Sequence, residues 1–182
     1  MIIGILGKKY HGKDTVANYI KESREIVHLS YAEPLKEACR ILFSFNDDQL
    51  YGDKKEVEDE FWNITPRQVY KFIGTDLCRK QMKQIIPHVN EDFWVECMRR
   101  RLETINKDIV ISDVRFPNEA KLIKEKGGII IKVSRPLIED NDEHESESLV
   151  DYIEYDYAIN NSGTLIELKF KTHIILSQIF ND

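Results

Sequence analysis

Apolar positions along this chain follow two rhythms. The run IIGIL at 2 to 6 is continuous and predicts a buried strand within residues 1 to 6, whereas Val16, Ala17 and Ile20 recur at helical spacing and predict a helix over 13 to 23. IVHLS at 26 to 30 predicts a second short strand, and from Pro34 onward Leu35, Ala38, Cys39, Leu42 and Phe43 return to the helical period. The stretch from Asn46 to Thr65 is charge-dense and interrupted by Gly52, which suggests an inserted, mobile helical region. Thr65-Pro66 is an N-cap followed by proline at the first helical position, so a helix starts there; Gly74-Thr75-Asp76 reads as its break and the restart of another. A third helix is expected from about 92 to 105. IVIS at 109 to 112 is β-branched on both faces, as a doubly buried parallel strand requires. Residues 117 to 126 read as helix ended by Gly127-Gly128, then come IIIKVS at 129 to 134 and YAIN at 157 to 160 as strands, and a closing helix over 164 to 180. Strands alternating with helices predict one α/β domain: a parallel sheet covered on both faces, with the helical block 31 to 106 as a substrate-side insertion.

Between the first strand and first helix the residues GKKYHGKD set Gly7, Gly12 and Lys13 in the G-x-x-x-x-G-K spacing of a phosphate-binding loop. A strand delivers the backbone into a tight loop, successive N–H groups turn inward, and the following helix aims its N-terminus at an anion. Lys13 would then reach the outer phosphates of a nucleotide; as a mere surface residue it would oppose the helix dipole. The residue after Lys13 is Asp14, where Ser or Thr is usual, with Thr15 one place later. Two readings of Asp14 are open: it holds magnesium, directly or through a water, or it only stabilises the helix N-terminus. Lys8 and Lys9 offset the added negative charge and are candidates to touch a second phosphorylated ligand.

Bulk properties narrow the class. At 182 residues and 42% hydrophobic content the chain suits one core, and a net charge of -6 argues against a nucleic-acid footprint. The basic run Arg99-Arg100-Arg101 reads as a solvated last helical turn. Three widely spaced cysteines without a C-x-x-C pair point to reduced thiols and a cytoplasmic setting, and the apolar runs are far short of the ~20 residues that span a bilayer. The first strand begins at once, with no leader expected before it.

Several separate blocks resemble one family, the deoxynucleoside monophosphate kinases of tailed bacteriophages and related viruses. They are GKKYHGKDT at 7 to 15, YAEPLK at 31 to 36, TPRQ at 65 to 68, GTDLCR at 74 to 79, DVRFPNEA at 113 to 120, DEHESE at 142 to 147 and DYAINNSGT at 156 to 164. The Asp after the loop lysine is itself part of that family's pattern. The resemblance implies a P-loop NTPase fold of the nucleoside monophosphate kinase kind. It further implies ATP and Mg2+ as cofactors, phosphoryl transfer to a deoxynucleoside monophosphate, a homodimer, and a host cytoplasm if the source is viral.

On that basis Lys13 serves the ATP phosphates, with Gly7, Gly12, Asp14 and Thr15 completing the loop. Arg67 and Arg79, on inserted helices, offer guanidinium forks for the acceptor's phosphate, assisted by Lys9 and Lys36. The alternative for each arginine is a surface ion pair, for example Arg79 with Asp76. Asp113, ending a buried strand, reads as a magnesium-shell or loop-orienting carboxylate and Arg115 as a phosphate contact; otherwise the two hold the strand end to Asn118 and Glu119. Arg135 occupies a similar strand end before an acidic segment, and residues 135 to 147, with His144, Ser146 and Glu147, are expected to form a lid. Trp94 either stacks on a nucleobase or packs in the core. By resemblance, Asn161 and Gly163 border the adenine. Two competitors stand beside this reading: another small-molecule kinase such as a phosphomevalonate kinase, and a nucleotide-binding switch that transfers nothing, against which the N-K-x-D guanine signature is missing.

Overall fold

The computed structural model describes residues 1 to 136 and 148 to 181. The chain divides into two compact units, one built from Met1–Ser30 together with the chain from Glu103 on, the other from Tyr31–Leu102.

The first unit is a five-stranded, all-parallel sheet. Its strands β1 (Ile2–Leu6), β2 (Val27–Leu29), β3 (Ile109–Val114), β4 (Ile129–Ser134) and β5 (Tyr157–Asn160) lie in the order β2-β3-β1-β4-β5. Parallel strands need crossovers, and helices α1 (Lys13–Ser23) and α6 (Pro117–Glu125) supply two of them. Because side chains alternate across a strand, Ile3 and Ile5 of β1 face one way, into a cluster with Val16, Ala17 and Ile20 of α1 and with Leu168, Ile175 and Leu176 of the C-terminal helix α7 (Leu165–Phe180). Gly4 faces the other way, toward Ile123 of α6. Both faces of the sheet are thus covered, which is why its strands carry near-continuous apolar runs.

β3 runs two residues past the expected 112. Gly4 pairs with Ile111 but Leu6 pairs with Val114, so two steps along β1 match three along β3, and the bulge at Ser112 and Asp113 lets the ladder continue. A buried carboxylate finishes this strand: Glu119 accepts from the backbone N–H of Arg115 at 2.9 Å and of Phe116 at 3.1 Å, satisfying donors at the start of α6.

The helical unit holds α2 (Glu33–Phe43), the short α3 (Asp47–Leu50), α4 (Pro66–Lys71) and α5 (Phe93–Glu103). The charge-dense stretch after Asn46 lies outside the sheet, as expected, and its helix comes in short pieces, α3 and a 3-10 turn over Asp53–Glu56. It folds through side chains that bond backbone: Asn46 and Gln49 cap α3 reciprocally, and Asp59 accepts from Phe61 N and Trp62 N at 3.0 Å each and from Gln49 Nε2 at 2.8 Å. The expected break at Gly74-Thr75-Asp76 is overturned. α4 passes directly into a π-helical segment, Phe72–Gln81, and a Cβ on Gly74 would sit 2.9 Å from Leu35 Cδ2. That glycine serves close packing of the segment on α2, and its carbonyl accepts from Trp94 Nε1 at 2.9 Å. Cys39, Cys78 and Cys97 are free thiols, and burial pushes the Cys39 thiol up to about 11. Among the described residues no helix is long and apolar enough to cross a membrane.

Candidate active site

β1 ends at Leu6, and the next six residues form the phosphate loop before α1 begins at Lys13. At the loop's start a Cβ on Gly7 would fall on the Val133 carbonyl oxygen, so only glycine lets the loop cross the end of β4. At its far end Gly12 is the N-cap of α1 with φ 96°, in the left-handed region. Tyr10, with φ 63°, shares that conformation. The tight path is closed by His11 N donating to Lys8 O at 3.3 Å. Lys13 is buried at 7% exposure, and its ammonium donates to Lys8 O at 2.7 Å. Asp14 is an exposed carboxylate in the first turn of α1, where acidic groups are favoured, and Thr15 beside it is half-buried. Lys9 places its Nζ 5.0 Å from the Tyr10 ring centroid.

The carboxyl edge of the sheet gathers more of the expected residues. Leu6 stands opposite Val114 on one side and Lys132 on the other, so Asp113 and Arg115 of the β3 end and Arg135, just past β4, border the strand that feeds the loop. Ligands of open α/β sheets bind at this edge. Asn161, just past β5, is also brought to the loop: it is buried, and its Nδ2 donates to His11 O at 3.0 Å. The lid expected over 135 to 147 falls, apart from Arg135 and Pro136, outside the described residues, and with it His144, Ser146 and Glu147.

One carboxylate at this edge has no signature in the sequence. Asp151 accepts from Lys8 Nζ and from Lys132 Nζ, each at 3.1 Å, and so ties a loop lysine to β4. Burial pushes its carboxyl up, but the Lys132 and Lys8 ammoniums outweigh that and hold it below the usual aspartate range. No local pattern marks it, because its partners come from two distant segments. Glu119 stands out in the sequence only as a possible partner of the strand end; its place three residues after a helix start is the signal of a backbone-bonding acid.

Lys36, Arg67, Arg79 and Trp94 belong to the helical unit. Lys36 Nζ lies 4.3 Å from the centroid of Tyr51, whose hydroxyl donates to Glu37 Oε1 at 2.7 Å; burial and then that carboxylate push the phenol up to about 12. Arg67 Nε bonds Glu56 Oε1 at 2.9 Å, with both side chains largely in solvent. Asp76 bonds Lys80 at 2.7 Å, and Arg79 lies on the π-helical segment between them. Trp94 is 8% exposed, edge-on to Phe93, with its indole N–H on Gly74 O. Of the two readings of Trp94, this arrangement corresponds to core packing.

Residues 54–172 match the model of the deoxynucleotide monophosphate kinase family. Over 176 residues the chain is 40% identical to a protein of Acanthamoeba polyphaga mimivirus named as a putative deoxynucleotide monophosphate kinase, covering 92% of this chain and 91% of that one. It is 33% identical over 97 residues to the deoxynucleoside-5'-monophosphate kinase of Escherichia phage T5, covering 53% of this chain and 34% of that protein. Among solved structures, shikimate kinase from Aquifex aeolicus is similar in fold alone, with a TM-score of 0.50 at 14% identity over 100% of this chain and 98% of that one. With a phosphate loop on a parallel sheet, a family model matched over more than half its length and a relative alike over nearly the whole, this chain belongs to the deoxynucleotide monophosphate kinase family.

Proposed function

We propose that the chain transfers the γ-phosphoryl group of ATP to the 5'-phosphate of a deoxynucleoside monophosphate, releasing ADP and the deoxynucleoside diphosphate. The observation that carries this is Lys13: a cation buried at the mouth of a glycine-built loop, held on a loop carbonyl, in a chain of this family. Phosphoryl transfer is mostly positioning and neutralisation of charge, so a site of this kind needs cations in fixed places around a chain of phosphates. Lys13 trades the Lys8 carbonyl for the outer phosphate oxygens of ATP. The first-turn N–H groups of α1, whose N-cap is glycine and offers no capping side chain, face the same anion. Arg115 and Arg135 at the carboxyl edge add charge around the transferring group. Within the helical unit, Lys36, Arg67 and Arg79 take the acceptor's phosphate.

The residues also fit magnesium. Among the described residues no group of three or more Asp, Glu, His or Cys could cage a metal ion, whereas Mg2+ is commonly held by nucleotide phosphates, waters and one or two carboxylates. Asp14, exposed in the first turn of α1, and Asp113, half-buried at the β3 bulge, are hard oxygen donors of that kind. Bound there with the nucleotide, the ion would supply neutralisation of the phosphate charge.

The test is a coupled ADP-release assay across the deoxynucleoside monophosphates, with phosphomevalonate as a control acceptor. Turnover of at least one deoxynucleoside monophosphate is expected. Pure, folded protein that is inert to all of them yet phosphorylates phosphomevalonate would overturn the assignment.

A further inference from the structure

We propose that Asn161 is a positioning residue of the phosphate loop, acting through the His11 carbonyl and not through the adenine. The proposal rests on the reading of this loop as the site of ATP phosphates. Asn161 lies 150 positions along the chain from His11, yet it is 8% exposed and its Nδ2 donates to His11 O at 3.0 Å. Its own backbone is fixed too, since Asn161 N donates to Ser134 O at 2.7 Å and extends the β4–β5 ladder by one bond. The amide is therefore presented from the end of a strand, not from a free loop. A Cβ on Gly12 would come 2.5 Å from Nδ2, so the loop packs directly on this side chain.

The consequence follows from peptide geometry. In a planar trans peptide the C=O and the following N–H point in opposite directions. With the His11 carbonyl held on Asn161, the Gly12 N–H is turned away from it, toward the side on which the loop receives an anion. The left-handed φ of 96° at Gly12 then carries the chain from that peptide into the first turn of α1. Without the amide, the His11–Gly12 peptide has one restraint fewer against rotation, and a donor aimed at the phosphates loses its fixed direction. The same buried nitrogen is spent on the loop in this structure, where the family resemblance suggests contact with the base.

Asn161→Leu, close in size but unable to donate, and Asn161→Ala, which opens room for water, test this with no acceptor present. Equilibrium binding is measured for ATP and for inorganic tripolyphosphate, which has phosphates but no base, alongside a thermal melt. Both ligands should bind about tenfold more weakly, which is ~1.4 kcal/mol, within the range of one orienting hydrogen bond. Weakened ATP with unchanged tripolyphosphate would instead assign Asn161 to the base, and no change in either would leave it without a role in binding; each overturns the proposal. Should the leucine variant not fold, the alanine variant decides by the same two affinities, and failure of both to fold assigns Asn161 to folding and also overturns it. Because no acceptor enters the measurement, an error about the kinase substrate leaves these outcomes unaffected.

Discussion

Replacing Lys13 by methionine should separate function from stability. The ammonium is 7% exposed and donates to Lys8 O at 2.7 Å. Losing a hydrogen bond from a charged donor costs ~1.5–3 kcal/mol, but burying that charge in the free protein costs a comparable amount or more. Methionine keeps much of the stem's length and bulk, so the two effects largely cancel and the unfolding free energy should move by no more than ~1–2 kcal/mol. In the transition state the balance differs, because the lysine then faces phosphate oxygens whose charge it neutralises. Removing a preorganised electrostatic donor of that kind costs on the order of a hundredfold in rate, or ~2.7 kcal/mol. A urea melt and an ADP-release assay on the same preparation read the two quantities. A third reading comes from ATP itself, which at ~100 times its Kd should stabilise the wild type by ~2.7 kcal/mol and the variant by clearly less. A variant that loses more than ~3 kcal/mol of stability while keeping its rate within about tenfold would show Lys13 to be a structural cation, and the reasoning would fail.

Asp14→Asn keeps the shape of the side chain and removes its charge: if the carboxylate serves magnesium, half-maximal rate should need more of the ion while the melt barely moves, and an unchanged magnesium midpoint ends that role. Arg67→Ala and Arg79→Ala should raise the acceptor's KM, lower kcat, or both, with ATP affinity near normal; since Arg67 shares an exposed ion pair with Glu56, its loss should cost at most ~1 kcal/mol of stability. Collapse of ATP affinity with unaltered acceptor kinetics would contradict their placement. Asp156 accepts from Lys124 Nζ at 2.6 Å and from the buried Ile130 N–H at 2.7 Å, so Asp156→Ala should cost ~1–3 kcal/mol at neutral pH by stranding that donor, and Asp156→Asn less. Burial raises the Asp156 carboxyl but Lys124 and the Ile130 N–H outweigh it, so its folded pKa lies below the unfolded value of ~3.9; its contribution is present above that value and lost as pH falls through the folded one. Melts from pH 7 downward should show the gap between the wild type and alanine variant narrowing in acid without closing, since a protonated carboxyl still accepts from Ile130 N–H, and a constant gap would refute the charge's part in it.

What is legible in the sequence is what depends on near neighbours. A run such as IVIS declares a doubly buried strand because both faces are largely apolar, and Thr65 and Thr164 start helices through capping boxes that close on the third residue beyond. The stretch after Asn46 is legible only as short helix outside the sheet, because its backbone is held by Asn46, Gln49 and Asp59 side chains, which leave no hydrophobic period. Gly74 misleads: a residue that breaks helices in isolation serves here for the approach of Leu35, which the local sequence does not contain. Asp151 is silent because its meaning lies wholly in Lys8 and Lys132.

The phosphate loop joins both kinds of information. Its spacing is local, yet its two glycines answer to different distant residues. Among the described glycines the left-handed ones are Gly12 and Gly127, so Gly7 is not required by its dihedral angles. It is required because Val133, at the end of β4, occupies the space a side chain would need. Gly12 is required twice, by its φ and by Asn161 at the end of β5. The interval between the glycines is therefore the interval over which the loop crosses the ends of β4 and β5, two strands that pair with each other. A substitution at Gly12 and one at Asn161, whose side chain lies against it, should act on the same quantity, the direction of the loop's N–H groups, and their effects on phosphate affinity should be non-additive in a double-mutant cycle. Additive losses would mean that the loop holds its curvature by itself and that the strand ends merely lie beneath it.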